Sequence, residues 1–218
     1  MVEHSEAAPP ASRRALALRR RDIAVLLVAL AVLGVLVYLL IRPAGVRAAY
    51  AGLPEQVPQP APALKLDNYL GRQVNLASYR GKAVFVTFIY THCPDVCPLI
   101  ASHLHTALAR MSAAERSELQ IVAVSVDPRG DTPTTVANFL HTHEMTGRMQ
   151  YLLGSSGALH AVWAAWGIAA GPQATNPEQV DHSALIYGIT AKGKVAVVYP
   201  ANFTPNEIVH DAPLLASS

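Results

Sequence analysis

The chain has 218 residues, 51% of them hydrophobic and 15% charged, with a formal net charge of +2 and a mean hydropathy of +0.25. That is too apolar for a disordered chain or an ordinary soluble domain, and so small a charge excess gives no basis for a nucleic-acid partner. The apolar excess sits in residues 23–41, where only Gly34 falls outside the hydrophobic class. A multi-span membrane protein is thereby excluded and one membrane-length segment remains.

Residues 1–22 form a basic head carrying Arg13, Arg14, Arg19, Arg20 and Arg21, whereas only Arg42 and Arg47 follow the apolar run closely. Nineteen helical residues span roughly 28 Å, the hydrocarbon thickness of a bilayer, and 23–41 lacks the polar stripe of a core helix. The positive-inside rule then keeps the N-terminus cytoplasmic and everything after Arg42 outside. Residues 1–42 carry a net charge of +3 and the remainder −1, so the sequence pI near 8.6 reports the topology signal and not a basic binding face. Ala49-Tyr50-Ala51 before Gly52 loosely fits a signal-peptide cleavage site. The apolar run is longer than a usual signal core, however, and we read 23–41 as an uncleaved transmembrane anchor.

Residues 42–62 are rich in Pro and Ala, with Pro54, Pro58, Pro60 and Pro62 spaced so that neither helix nor ladder is expected. They read as an extended tether, leaving 63–218 as the folded domain. Residues 64–66 and 74–76 predict a small hairpin around Asn68 and Gly71. Residues 83–90 (AVFVTFIY) form a β-branched apolar run, the signature of a strand buried on both faces, and run directly into THCPDVCP. Leu99, Leu104, Leu108 and Met111 then recur at helical spacing, and 121–126 (IVAVSV) predicts a second buried strand. Asp131-Thr132-Pro133 opens a helix with Val136, Phe139 and Leu140 on one face. A shorter strand at 149–153 and a helix at 155–166 with Leu159, Val162, Trp163 and Trp166 follow. Residues 184–189 and 194–199 flank a turn at 190–193, and the capping box Thr204-Pro205-Asn206-Glu207 opens a closing helix. Three βα units, a β-hairpin and a helix imply an α/β, thioredoxin-like fold with a mixed central sheet.

The chain has two cysteines, Cys93 and Cys97. A structural disulfide across four positions would add little stability. The pair lies where a buried parallel strand gives way to a helix, the end of an open α/β sheet where ligands bind. Helix N-terminal dipoles there are expected to favour thiolate over thiol, and three intervening residues bring the sulfurs to the same side. Two thiolates so placed serve either redox exchange or a soft metal, and a metal needs a third ligand. Of nine histidines, His4 is cytoplasmic, and His92 stands at a strand end pointing away from the sulfurs. The pairs His103/His105 and His141/His143 cannot converge on one ion because each is two apart on a helix. His160 and His210 lie in helices with no partner expected. His182 differs, since it stands at the mouth of the strand at 184–189, after a loop that passes beside the cysteine motif in a thioredoxin-like sheet.

TFIYTHCPDVCP (87–98), VSVDPRGDTP (124–133) and VDHSALIY (180–187) together resemble the Sco/SenC (PrrC) family of membrane-anchored copper proteins, over nearly the whole outer domain and in the right order. The turn at 190–193 departs from the family by lacking an Asp-Pro pair. The resemblance implies one copper, Cu(I) or Cu(II), per domain, held by Cys93, Cys97 and His182. Soft thiolates suit Cu(I), and an imidazole plus one further donor suits Cu(II). Asp181 is then a candidate outer partner that fixes the His182 ring, and the DPRGDTP block has strand exit and helix capping as its simplest role.

The implied function is assembly of the dinuclear copper (CuA) centre of cytochrome c oxidase subunit II, by delivering copper, by reducing the receiving cysteines, or both. The expected location is the bacterial inner membrane, with the domain on the periplasmic face and another periplasmic copper carrier as a second partner. The rival reading is a membrane-tethered thiol-disulfide oxidoreductase using the redox-active pair Cys93 and Cys97, and a third is a redox or copper sensor. A reductase has no need of His182, and the approach to residue 184 lacks the proline that thioredoxin-like reductants place there. Both features favour the metal.

Overall fold

The computed structural model describes residues 20–41, 49–172 and 180–218, with the side chains at 20–22, 38–41, 172, 181 and 182 outside the described set. The chain divides into two compact units, 1–47 and 48–218. In the first, α1 (Arg20–Ile41) is one helix of 22 residues, mostly Leu, Val, Ile and Ala and without proline. Its described side chains, 23–37, are all exposed. Among the described residues no helix is long and apolar enough to cross a membrane. Those fifteen positions of α1 span only about 22 Å. Most of the basic head, 1–19, lies outside the described residues.

The second unit runs β1 (Leu53–Pro60), β2 (Lys65–Asn68), β3 (Gln73–Asn75), β4 (Ala83–Ile89), α2 (Val96–Arg110), α3 (Ala113–Ser117), β5 (Leu119–Ser125), α4 (Pro133–Thr142) and β6 (Met149–Leu153). It continues through α5 (Ser156–Trp166), β7 (Ala170–Pro172), β8 (Val180–His182), β9 (Leu185–Ile189), β10 (Lys194–Pro200) and α6 (Pro205–Ala216). Eight strands form one sheet in the order β1-β10-β9-β4-β5-β6-β2-β3. β4, β5 and β6 are parallel and the remaining pairs antiparallel. Every residue of β4 is buried, as its continuous apolar run predicts for a central parallel strand.

Helices cover both faces. Phe88 of β4 packs on Trp166 of α5 at 5.7 Å between ring centroids. Phe85, an odd number of positions away and hence on the other face, meets Tyr199, whose hydroxyl bonds Asp211 of α6. α6 packs on β4 and on α2. Thr204 opens α6 as its sequence predicts, with the Glu207 carboxylate accepting from the Thr204 N–H and hydroxyl at 2.5 and 2.9 Å.

Three local expectations are corrected. Residues 53–60, expected within a tether that no ladder could cross, form β1, which pairs with β10 through Leu53–Val198, Pro54–Val197, Gln59–Val195 and Pro60–Lys194. β1 is the sheet edge, where a proline's missing N–H costs no ladder bond, and the register shifts between Pro54 and Gln59. Leu99 is exposed, because the buried face of α2 is Cys97, Ile100, Ala101, Leu104, Ala107 and Leu108. The loop before residue 184 begins and ends in a two-stranded ribbon, β7–β8, pairing Ala170 with His182 and Gly171 with Asp181. Residues 173–179 lie outside the described set.

One backbone approach is tight enough to test. A Cβ on Gly188 would lie 2.4 Å from Val197 Cγ1 and 3.0 Å from Leu215 Cδ1, and β-branched Val197 has little rotamer freedom with which to retreat. Gly188→Ala is expected to destabilise the domain by about 1–3 kcal/mol, measured as a lower urea midpoint at unchanged slope; a midpoint equal to wild type would contradict this packing.

Candidate metal centre

β4 ends at Ile89, and the chain turns through Tyr90, Thr91 and His92 into Cys93-Pro94-Asp95 before α2 begins at Val96. Asp95 caps the helix by accepting the Val96 N–H at 2.5 Å. This turn brings the two cysteines together at the carboxyl end of the sheet. Cys93 Sγ accepts the Cys97 N–H at 3.3 Å and lies 3.6 Å from Asp95 Oδ1, to which its thiol donates. Both side chains are buried thiols. The hydrogen bond with Cys93 and then burial push the Cys97 thiol far above its ordinary range. For Cys97 this direction runs against the expectation that the helix terminus favours thiolate. A soft metal ion bound there would displace the thiol protons.

The loop is anchored by a group the sequence reading assigned to helix opening. Thr132, not Asp131, caps α4, accepting the Thr135 N–H at 3.2 Å. Asp131 turns inward and is buried. Its carboxylate accepts the Thr91 N–H and hydroxyl, each at 2.8 Å, the Ser125 hydroxyl at 2.6 Å and the Tyr151 hydroxyl at 2.8 Å. One side chain thus ties the residue two before Cys93 to the end of β5 and the middle of β6. Burial raises the Asp131 pKa against the lowering effect of these four bonds. Ser125 is held in turn by Trp163, whose indole donates to its carbonyl at 3.0 Å. The available signal was the second Asp of DPRGDTP, which could equally have been a cap.

Tyr90 is a second residue the sequence reading missed. It ends an apolar run that gives no sign of a polar role. Its buried ring carries a hydroxyl that receives the Val180 N–H at 3.4 Å and hydrogen bonds with Cys93. β8 is thereby attached to the cysteine corner two residues before His182.

The other histidines take separate places. His92 bonds the Thr91 hydroxyl at 3.2 Å and faces a cavity of about 310 Å³ shared with Thr135, Phe139 and His143. His103 bonds the Phe203 carbonyl at 2.9 Å, and His105 the Glu144 carbonyl at 3.3 Å. His141 is exposed, and burial lowers the pKa of His143. His160 bonds the Ser156 carbonyl at 2.6 Å and packs on Trp163, and His210 bonds Asp211 at 2.6 Å. His4 and the side chains of Asp181 and His182 lie outside the described residues. Among the described residues no three His, Cys, Asp or Glu groups converge to hold a metal.

The family model SCO1/SenC matches residues 56–215. The SCO1 protein homolog of Bacillus subtilis is 29% identical over 134 residues, covering 61% of this chain and 69% of that protein. The human mitochondrial SCO1 homolog is 25% identical over 147 residues, 66% of this chain and 48% of its own length, so the chain spans about half of that relative. Among solved structures, Bradyrhizobium japonicum ScoI with copper bound is 28% identical with a TM-score of 0.59, covering 70% of this chain and 97% of that one. Apo Sco1 from Thermus thermophilus shares the fold at 24% identity and a TM-score of 0.66, over 80% of this chain and 100% of its own. With its buried dithiol turn at the end of a mixed sheet and a family match across most of its length, the chain belongs to the SCO1/SenC family.

Proposed function

We propose that this protein is a membrane-anchored copper metallochaperone that takes one copper ion through Cys93, Cys97 and His182 and helps to assemble the dinuclear copper centre of cytochrome c oxidase subunit II. The observation that carries the reading is the contact between Cys93 and Cys97 at the start of α2, with β8 attached to the same corner. Two sulfurs and one imidazole form a soft, low-coordinate donor set suited to Cu(I). The copper-bound Bradyrhizobium relative, at 28% identity, supports the same cargo. Delivery proceeds by ligand exchange, an incoming thiolate or imidazole binding the ion before the three ligands here release it, and Asp181 orients the His182 ring. The apolar run 23–41 and the exposed side chains of α1 support an anchor in the bacterial inner membrane with the domain on the periplasmic face. A second periplasmic carrier supplies the copper.

Anaerobic Cu(I) titration of residues 43–218 beside His182→Ala tests the ligand set. About one copper per domain is expected for wild type. The variant should lose more affinity than the roughly 10–100-fold that follows loss of an outer hydrogen-bond partner, with folding unchanged. Equal affinity in both proteins would sink the three-ligand site. The thiol–thiol contact also supports a second reading, a thiol-disulfide oxidoreductase acting through Cys93 and Cys97 alone, and catalytic reduction of a general disulfide undiminished in His182→Ala would favour it.

A further inference from the structure

The corner that holds the cysteines is built by three separate stretches of chain: the turn at 90–97, the DPRGDTP block through Asp131, and the ribbon β7–β8. Asp131 secures the first two together. The ribbon has no comparable carboxylate among the described residues, yet it carries His182. Among the described residues a polar link to the cysteine turn is the Tyr90 hydroxyl, which receives the Val180 N–H at 3.4 Å and hydrogen bonds with Cys93. Because an O–H both accepts and donates, the three groups form one chain, Val180 N–H to Tyr90 O–H to Cys93 sulfur. The Tyr90 ring is itself buried, so the hydroxyl is fixed in place before any ligand arrives.

We propose that Tyr90 is a positioning residue, whose hydroxyl latches the His182-bearing ribbon to Cys93 and so pre-assembles the corner in the metal-free protein. Val180 and His182 are two apart in β8, so fixing the Val180 amide sets the backbone of His182 to within one residue pair of the ladder. A ribbon held in advance loses less freedom when a ligand engages it, and affinity rises accordingly. The hydroxyl touches the strand and one sulfur, and a ring without it fills the same space. The consequence for copper rests on the ligand set proposed above; the latch itself does not.

The test compares wild type with Tyr90→Phe in the full chain, first without metal. Amide hydrogen exchange at Val180 is expected to accelerate by about tenfold or more in the variant, with protection in β4 and β5 unchanged, since one local bond is lost while the core persists. Cu(I) affinity should fall roughly three- to tenfold, as loss of one hydrogen bond implies, and the thiolate charge-transfer bands of the Cu(II) form should shift, which a packing role for the ring would not cause. Identical Val180 exchange in the two proteins would overturn the latch. If Tyr90→Phe fails to fold, wild type alone decides, because a Val180 amide exchanging at the rate of an unstructured peptide also overturns it. A Val180 effect in a protein that binds no copper would support the latch while removing the copper reading, and copper binding that needs His182 with no Val180 effect would do the reverse.

Discussion

Asp131→Ala is expected to cost about 3–5 kcal/mol of folding stability in the metal-free domain and to loosen the cysteine turn. The substitution leaves the Thr91 N–H and hydroxyl, the Ser125 hydroxyl and the Tyr151 hydroxyl without their acceptor. Tyr151 keeps a bond to the Ile89 carbonyl at 3.1 Å, but the Thr91 N–H has no second acceptor among the described residues. Each buried donor left unpaired costs about 1–3 kcal/mol, and water entering the vacated space recovers part of the sum. Equilibrium urea unfolding measures the loss; a cost under about 1 kcal/mol would show that Asp131 is dispensable to the turn.

The same carboxyl makes a pH prediction whose sign follows from its environment. Burial raises the Asp131 pKa, so the native state holds this proton more tightly than the unfolded chain does. Its contribution to stability is fully present below the unfolded value near pH 4 and is lost as pH rises through the higher native value. Wild type should therefore lose stability across that window relative to Asp131→Asn, which cannot ionise. Parallel stability curves for the two proteins over the window would contradict the raised pKa.

The second large effect is expected at Asp211. This carboxylate is fully buried in α6 and accepts the Ala51 N–H at 2.8 Å, the Gly52 N–H at 3.0 Å, the Tyr199 hydroxyl at 2.8 Å and a bond from His210 at 2.6 Å. It fastens the chain where it enters the domain, just ahead of β1. Burial, and then the neighbouring Asp211 charge, hold the Tyr199 phenol far above its ordinary range. Asp211→Ala strands the Ala51 and Gly52 N–H groups and the Tyr199 hydroxyl, the exposed His210 ring turning to water, and is expected to cost about 3–5 kcal/mol, whereas Asp211→Asn keeps one acceptor oxygen and should cost about half as much. The local signature is faster amide exchange at Ala51 and Gly52. Unchanged exchange at both amides in Asp211→Ala would show that the clasp does not hold the entering chain.

The clasp also bears on the small-residue stretch 49–51, which loosely resembles a cleavage site. Ala51 and Gly52 are bonded into the domain through Asp211. Local sequence cannot reveal this, because the acceptor lies 160 residues away. β1 escaped the sequence reading for a related reason. Four prolines argue against a ladder when the position in the sheet is unknown, and only the edge placement makes Pro54 and Pro60 compatible with pairing.

Sequence by itself determined the central strands, most of the helices and the dithiol turn, because those features are written in local periodicity and in residue chemistry. Continuous apolar runs specify β4 and β5, helical spacing specifies α4 and α5 with their buried faces, and two cysteines between a strand and a helix specify their own neighbourhood. Tertiary structure decided what depends on distant partners. Asp131 is a buried anchor and not a cap because Thr91 after β4, Ser125 at the end of β5 and Tyr151 within β6 converge on it. Tyr90 is a polar link and not only a core ring because β8 passes over it. A polar side chain's role is set by what desolvates it and what it bonds, and the Thr91 and Tyr151 partners of Asp131 and the Val180 partner of Tyr90 come from chain 20 to 90 positions away.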